Sequence, residues 1–271
     1  ALDAGIDPID AYAMATYNPA KHYDMTDRHG LIATGRLANL NFLSSPTNPV
    51  PTDVLSKGVW ILRDGQSTGA IHEIDWSIIP QFDLSFELTK EDLQFDSKLG
   101  IEMINDVITK PYEITSTVPT GDESYLVLLD RNGQWKVNTF IKGFATNVQG
   151  FASSYSNTGD LILIGKSKED IIAAFNEMKR IAGGIILTEK GETVSTLPLP
   201  IGGGLSSEPV EQLIEQELAL KEKLAERGFA HGDAIYTLLF LQSTHLPYIR
   251  ITQKGLLDVM KREILVPAET R

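Results

Sequence analysis

Leu161-Ile162-Leu163-Ile164-Gly165-Lys166-Ser167-Lys168-Glu169-Asp170-Ile171 is the stretch on which the reading of the fold turns. The short apolar run Leu161–Ile164, closed by Gly165, predicts a buried strand. Ser167 then supplies an oxygen for the free N–H groups of a helix start, and Asp170 three residues on completes a capping box. Ile171, Phe175, Met178 and Ile181 follow at helical spacing, and Gly183-Gly184 ends the helix. A strand feeding a capped helix predicts helices packed on a sheet, a mixed α/β or α+β domain.

Working outward, Tyr125–Leu129 and Trp135–Phe140 flank Asn132-Gly133, a dipeptide able to take the positive φ angles of a tight hairpin. A second hairpin joins Gly184–Leu187 to Thr193–Leu197 around Lys190-Gly191, after which Leu197-Pro198-Leu199-Pro200 leaves the sheet extended. Ser207 is placed to cap the longest helix, with Glu208 and Glu211 near its positive end and Gly228 beyond its end. Val210, Leu213, Ile214, Leu218 and Leu224 form its apolar side. The rest of the chain adds strands and a short helix.

Upstream, Asp7 caps and Pro8 opens a short helix presenting Ile9, Tyr12, Ala13 and Thr16, which Asn18-Pro19 is expected to stop. From Gly30 to Thr68 the pattern changes to short apolar runs cut by Gly35, Pro46, Pro49, Pro51 and Asp64-Gly65, with Gly58–Leu62 the clearest strand. So few strands without helices cannot cover both faces of a sheet, and this β unit needs strands from elsewhere. The organisation expected is residues 1–23 as the last helix of a larger domain, 24–70 as part of a β-sandwich, 71–88 as a connector, and 89–271 as the α/β domain.

Composition excludes several function classes. A net charge of −12 would repel a phosphate backbone, and no stripe of Lys or Arg offsets it, so nucleic acid and anionic membranes are not expected partners. No apolar run approaches the roughly 20 residues needed to span a bilayer. Cysteine is absent, which removes disulfides and thiolate metal sites and suits the cytoplasm.

His22, His29, His72, His231 and His245 form neither a His-x-His pair nor an i, i+4 pair, so no metal site is expected within this chain. Asp24 and Asp27 near His22 and His29 read as an ordinary polar turn. Gly202-Gly203-Gly204 could hold an anion through its N–H groups, but close packing on the sheet explains the glycines as well. Glu208, Glu211, Glu215 and Glu217 read as a solvated face supported by Lys221 and Lys223. The polar run from Ser153 to Asp160, just before the buried strand, lies where sheet proteins place pockets, and Ser156, Asn157, Thr158 and Asp160 are the candidate pocket residues.

Gly183-Gly184-Ile185-Ile186, Glu189-Lys190-Gly191-Glu192 and Leu197-Pro198-Leu199-Pro200-Ile201-Gly202-Gly203-Gly204-Leu205 together resemble the C-terminal domain of bacterial adenine deaminases. Asp130-Arg131-Asn132-Gly133, Ile164-Gly165-Lys166-Ser167, Phe240-Leu241, Leu246-Pro247 and Thr252–Leu256 extend the resemblance in order. Ala13-Met14-Ala15-Thr16-Tyr17-Asn18-Pro19-Ala20 resembles the helix after the last barrel strand of amidohydrolases, and Gly30–Gly35 their return into the β-sandwich. Ala38-Asn39 stands where the superfamily usually has Ala-Asp.

The resemblance implies the C-terminal half of an adenine deaminase-like amidohydrolase. The metal-dependent barrel and the completing sandwich strands would then be missing partners, with the metal ligands outside this sequence. It implies manganese, iron or zinc in the parent, none held by this chain, and metal-activated water replacing the amine of adenine. A small purine is the implied ligand, and no catalytic residue is assigned here. The family motif Ser-His-Asp-Ser-His-Asn falls on Tyr155-Ser156-Asn157-Thr158-Gly159-Asp160, so its histidines are replaced, and Ser156 and Gly159 cannot do the work of imidazole. That departure points to an altered substrate in a related amidohydrolase. The alternative is a non-catalytic module that binds a small ligand or mediates homo-oligomerisation.

Overall fold

Alternation along single strands sets the layering of the larger part of the molecule. In the computed structural model, which describes residues 1–69 and 74–271, Leu161 and Leu163 face one buried cluster while Ile162 and Ile164 face another. Tyr125, Val127 and Leu129 divide from Leu126 and Leu128 in the same way. Successive side chains of a strand point to opposite faces, so runs without polar interruption belong to a sheet covered on both sides.

The described residues separate into two units, Ala1–Asp75 and Trp76–Arg271. In the first, helices α1 (Pro8–Ala15) and α2 (Tyr17–His22) precede an antiparallel meander of β1 (Leu40–Ser45), β2 (Asn48–Ser56), β3 (Val59–Arg63) and β4 (Gln66–Ser67). The Asp7 carboxylate accepts from the N–H of Ile9 at 2.9 Å, so the expected cap is present. Asn18-Pro19 does not stop helical structure as expected. The break falls at Thr16, and Pro19 sits in the first turn of α2, where its missing N–H leaves no helical bond unmade. Lys57-Gly58 and Asp64-Gly65 take positive φ at both positions, the backbone twist that tight hairpins require.

The second unit contains β5 (Leu99–Met103), β6 (Thr109–Glu113), β7 (Glu123–Leu129), β8 (Trp135–Lys142), β9 (Gly150–Ser153), β10 (Leu161–Gly165), α3 (Lys168–Arg180), β11 (Gly184–Glu189) and β12 (Glu192–Pro198). These are followed by α4 (Val210–Ala225), α5 (Ala234–Phe240), β13 (Ile249–Thr252), β14 (Gly255–Asp258), β15 (Glu263–Pro267) and β16 (Glu269–Thr270). The large sheet runs β12-β11-β9-β10-β7-β8-β5-β6, with β16 also pairing β8, and β5 pairs β8 in parallel. A smaller sheet runs β13-β14-β15. Both predicted hairpins form, as β7-β8 and β11-β12.

On one face lie α3 and the segment carrying Phe82, Leu84, Leu88, Leu93 and Phe95. Phe82, Leu84 and Leu88, within the stretch read from sequence as a connector, are thus part of this core. On the other face lie Leu220 and Leu224 of α4, Leu238 of α5, and Ile249, Ile251 and Leu256 of the small sheet. The α3 connection crosses β9, and glycine makes the room. A Cβ on Gly150 would lie 2.2 Å from the backbone carbonyl of Asp170, and one on Gly165 would lie 2.2 Å from the carbonyl of Gln149.

Two capping expectations are corrected. The Ser167 hydroxyl does accept from the N–H of Asp170 at 3.1 Å, but the Asp170 carboxylate reaches Gly191 N at 2.7 Å instead of turning back to Ser167. It ties α3 to the β11-β12 turn rather than closing a capping box. The long helix is not capped by Ser207. It starts at Val210 behind Pro209, because a residue preceding proline avoids helical backbone, which bars Glu208 from a first turn. Its apolar side also differs: Leu213 packs on the core with Leu220 and Leu224, whereas Val210, Ile214 and Leu218 are exposed. Beyond its end, the N–H of Phe229 bonds the carbonyl of Leu224 around Gly228 at φ +83°.

Candidate functional site

Tyr155–Asp160 links β9 to β10, and the side chains of Asn157, Thr158 and Asp160 are drawn into one hydrogen-bond network. The Ser156 hydroxyl donates to the carbonyl of Asp160 at 2.7 Å, which closes the loop on itself. Asn157 Nδ2 donates to the carbonyl of Leu239 at 2.6 Å and to Ser243 Oγ at 2.8 Å, and its backbone N–H donates to Gln242 Oε1 at 3.1 Å. Thr158 Oγ1 accepts from Gln242 Nε2 at 2.9 Å and donates to Asp160 Oδ2 at 2.5 Å. Asp160 Oδ2 also accepts from Gln253 Nε2 at 2.8 Å.

All four candidate residues therefore meet in one place. Asn157 and Thr158 are held by the end of α5 and Asp160 by the turn between β13 and β14, while Ser156 bonds within the loop. Gln242, Ser243 and Gln253 are the members that sequence reading missed. Their signal was faint: they lie more than 80 residues from the loop, and only Gln253 stood in a motif singled out in advance.

Asp160 is buried, 4% exposed. Burial raises its pKa above the ordinary carboxylate value, the bonds from Thr158, Gln253 and the Arg131 N–H pull it back, and the charge of Asp130 raises it further. Burial likewise raises the Tyr155 phenol, with Tyr236, Asp233 and Glu217 adding to the shift. Just before the loop, Ser154 Oγ donates to the carbonyl of Gly203 at 2.6 Å and accepts from Gly184 N at 2.7 Å. The glycine run is thereby pinned. A Cβ on Gly203 would lie 2.3 Å from the Phe82 ring, so close packing accounts for that glycine, and the run is followed by turn and not by a helix start.

The loop lines neither of two cavities found among the described residues. One of about 690 Å³ lies in the first unit among Tyr12, Leu37, Leu43, Val54 and Ile61. The other, of about 330 Å³, lies among Leu218, Ala225, Phe229, His231 and Ala234. His231 Nε2 is 2.8 Å from the carbonyl of Gly143. His72 lies outside the described residues. Among the described residues no group of three or more His, Asp or Glu side chains could hold a metal ion, and no helix is long and apolar enough to cross a membrane.

Comparison with known proteins matches residues 103–263 to the family described as adenine deaminase C-terminal domain, and residues 1–62 to the amidohydrolase family. The chain belongs to the adenine deaminase C-terminal domain family. It is 48% identical to a "Putative adenine deaminase" of Halalkalibacterium halodurans and 49% identical to the "Putative adenine deaminase YerA" of Bacillus subtilis, in each case over 100% of this chain and 48% of the relative. It is 30% identical to a second Bacillus subtilis protein, named adenine deaminase, over 96% of this chain and 48% of that one. The chain thus spans about half the length of these adenine deaminase relatives.

Proposed function

We propose that this chain acts as the C-terminal portion of a longer, metal-dependent hydrolase of adenine deaminase type, and that it is catalytically silent alone. The observation that carries this reading is the succession of an amidohydrolase match and an adenine deaminase C-terminal match along one chain. The reaction would take adenine and water to hypoxanthine and ammonia. Bound manganese, iron or zinc would supply an activated water. The described residues offer no cluster to hold such an ion, so no step of the chemistry is assigned to them. The apolar cavity of the first unit supports a need for further sandwich strands. The lack of cysteine suits a cytoplasmic setting.

A second reading keeps the family and changes the substrate. This reading is supported by the higher identity to the putative adenine deaminase YerA of Bacillus subtilis, 49%, than to the protein of the same organism named adenine deaminase, 30%. The loop departs from the family motif, and its polar side chains are occupied with α5 and Gln253. A polypeptide of the relatives' length carrying this sequence, loaded in turn with each metal, should release ammonia from adenine or a related purine amine, while the 271-residue chain releases none. Turnover of another purine but not adenine selects the second reading. No turnover across a purine panel sinks both.

A further inference from the structure

On α4, Val210, Ile214 and Leu218 stand at i, i+4 and i+8, a single straight ridge, and are 61%, 48% and 60% exposed. The helix does not need them for its own packing, because Leu220 and Leu224 already fill the core side. Along the outer edge of the ridge run Glu211, Glu215 and Glu222, all exposed and none in an ion pair among the described residues. On the inner edge Lys221 is neutralised by Asp233 at 2.7 Å and by Glu217. An apolar ridge bordered by unpaired carboxylates is complementary to a helix with an apolar stripe bordered by lysine or arginine.

A second copy of this chain fits poorly. It would bring the same three glutamates against themselves, on a molecule already at −12. The relatives are about twice the length of this chain, so they contain a further half able to supply the occupant. We infer that the α4 ridge is a docking surface for a basic-edged helix from that other half, an inference that rests on the chain acting within a longer polypeptide.

Carbene footprinting read by mass spectrometry tests this on the 271-residue chain and on a polypeptide of the relatives' length that carries it. Label on Val210, Ile214 and Leu218 should fall several-fold in the longer polypeptide. The double change Glu215→Lys and Glu222→Lys should restore it, with circular dichroism and melting unchanged because both side chains are exposed and lie beyond the first turn of the helix. Leu218→Asp should do the same through the ridge itself. Equal labelling in the two polypeptides overturns the proposal. So does protection within the 271-residue chain that grows with its concentration, which would assign the ridge to a second copy. Ammonia release is measured separately, so a protected ridge without turnover counts against the deaminase reading alone.

Discussion

Arg250 Nη1 donates to the Thr109 hydroxyl at 2.7 Å, and that hydroxyl in turn donates to the carbonyl of Ile249, so a side chain on β13 and one at the start of β6 share a buried bond across 141 residues of sequence. Arg250 is 0% exposed, and its other partners are the carbonyls of Val107, Pro247, Ser243 and Leu246. No carboxylate is among them. Burial alone lowers its pKa to about 10, which still leaves the guanidinium charged at neutral pH.

Because the fully buried guanidinium fork satisfies five acceptors, Arg250→Ala should cost about 3 kcal/mol or more through unpaired polar groups and lost packing. Arg250→Lys should recover less than half of that, since three donors on a flexible stem cannot match five in a plane. Urea unfolding of the three proteins checks both, and a lysine variant as stable as the parent would refute the argument from the fork.

Asp160 makes a prediction with a definite sign. Its native pKa is raised above its unfolded value, so between those two values the folded chain binds more protons than the unfolded one, and stability falls as pH rises. Its contribution is fully present below the unfolded value and lost as pH climbs through the raised native one. Asp160→Asn should therefore remove a falling component from the stability profile just above pH 3.8, and Asp160→Ala should remove it too while leaving Gln253 without its acceptor. Unfolding midpoints in urea taken from acid to neutral pH would show identical slopes for parent and variants if the carboxylate does not titrate this way.

At Gly150, addition of a methyl group forces α3 off the sheet, because the contact is with the backbone of Asp170 and no side chain can swing aside. Gly150→Ala should lose about 2–3 kcal/mol, the range for overpacking a tight interior. A melting temperature within error of the parent's would mean that the α3 crossing is looser than described.

Ala182 marks a place where the chain tolerates strain. The end of α3 is closed by Gly183 N on the carbonyl of Met178 and by Ala182 N on the carbonyl of Lys179, with Ala182 at φ +59° in the left-handed position. Ala182→Gly should stabilise by about 1 kcal/mol, as the steric cost of a Cβ there disappears. Unfolding at equilibrium is the measurement, and a loss of stability would contradict the assignment.

What the sequence by itself determined is everything written within a few residues: the alternating runs at 125–129 and 161–164, the turn at Asn132-Gly133, the Ser167 and Asp7 caps, and the family resemblance spread along the chain. These signals survive because periodicity and capping depend on neighbours along the chain. Tertiary structure decided what depends on distant partners. It sent Asp170 to Gly191, left Val210, Ile214 and Leu218 outside the core, and tied Asn157 to α5 and Asp160 to Gln253. A polar or apolar side chain read in isolation offers several satisfactory partners, and only the packing of the sheet and its two covering layers selects among them.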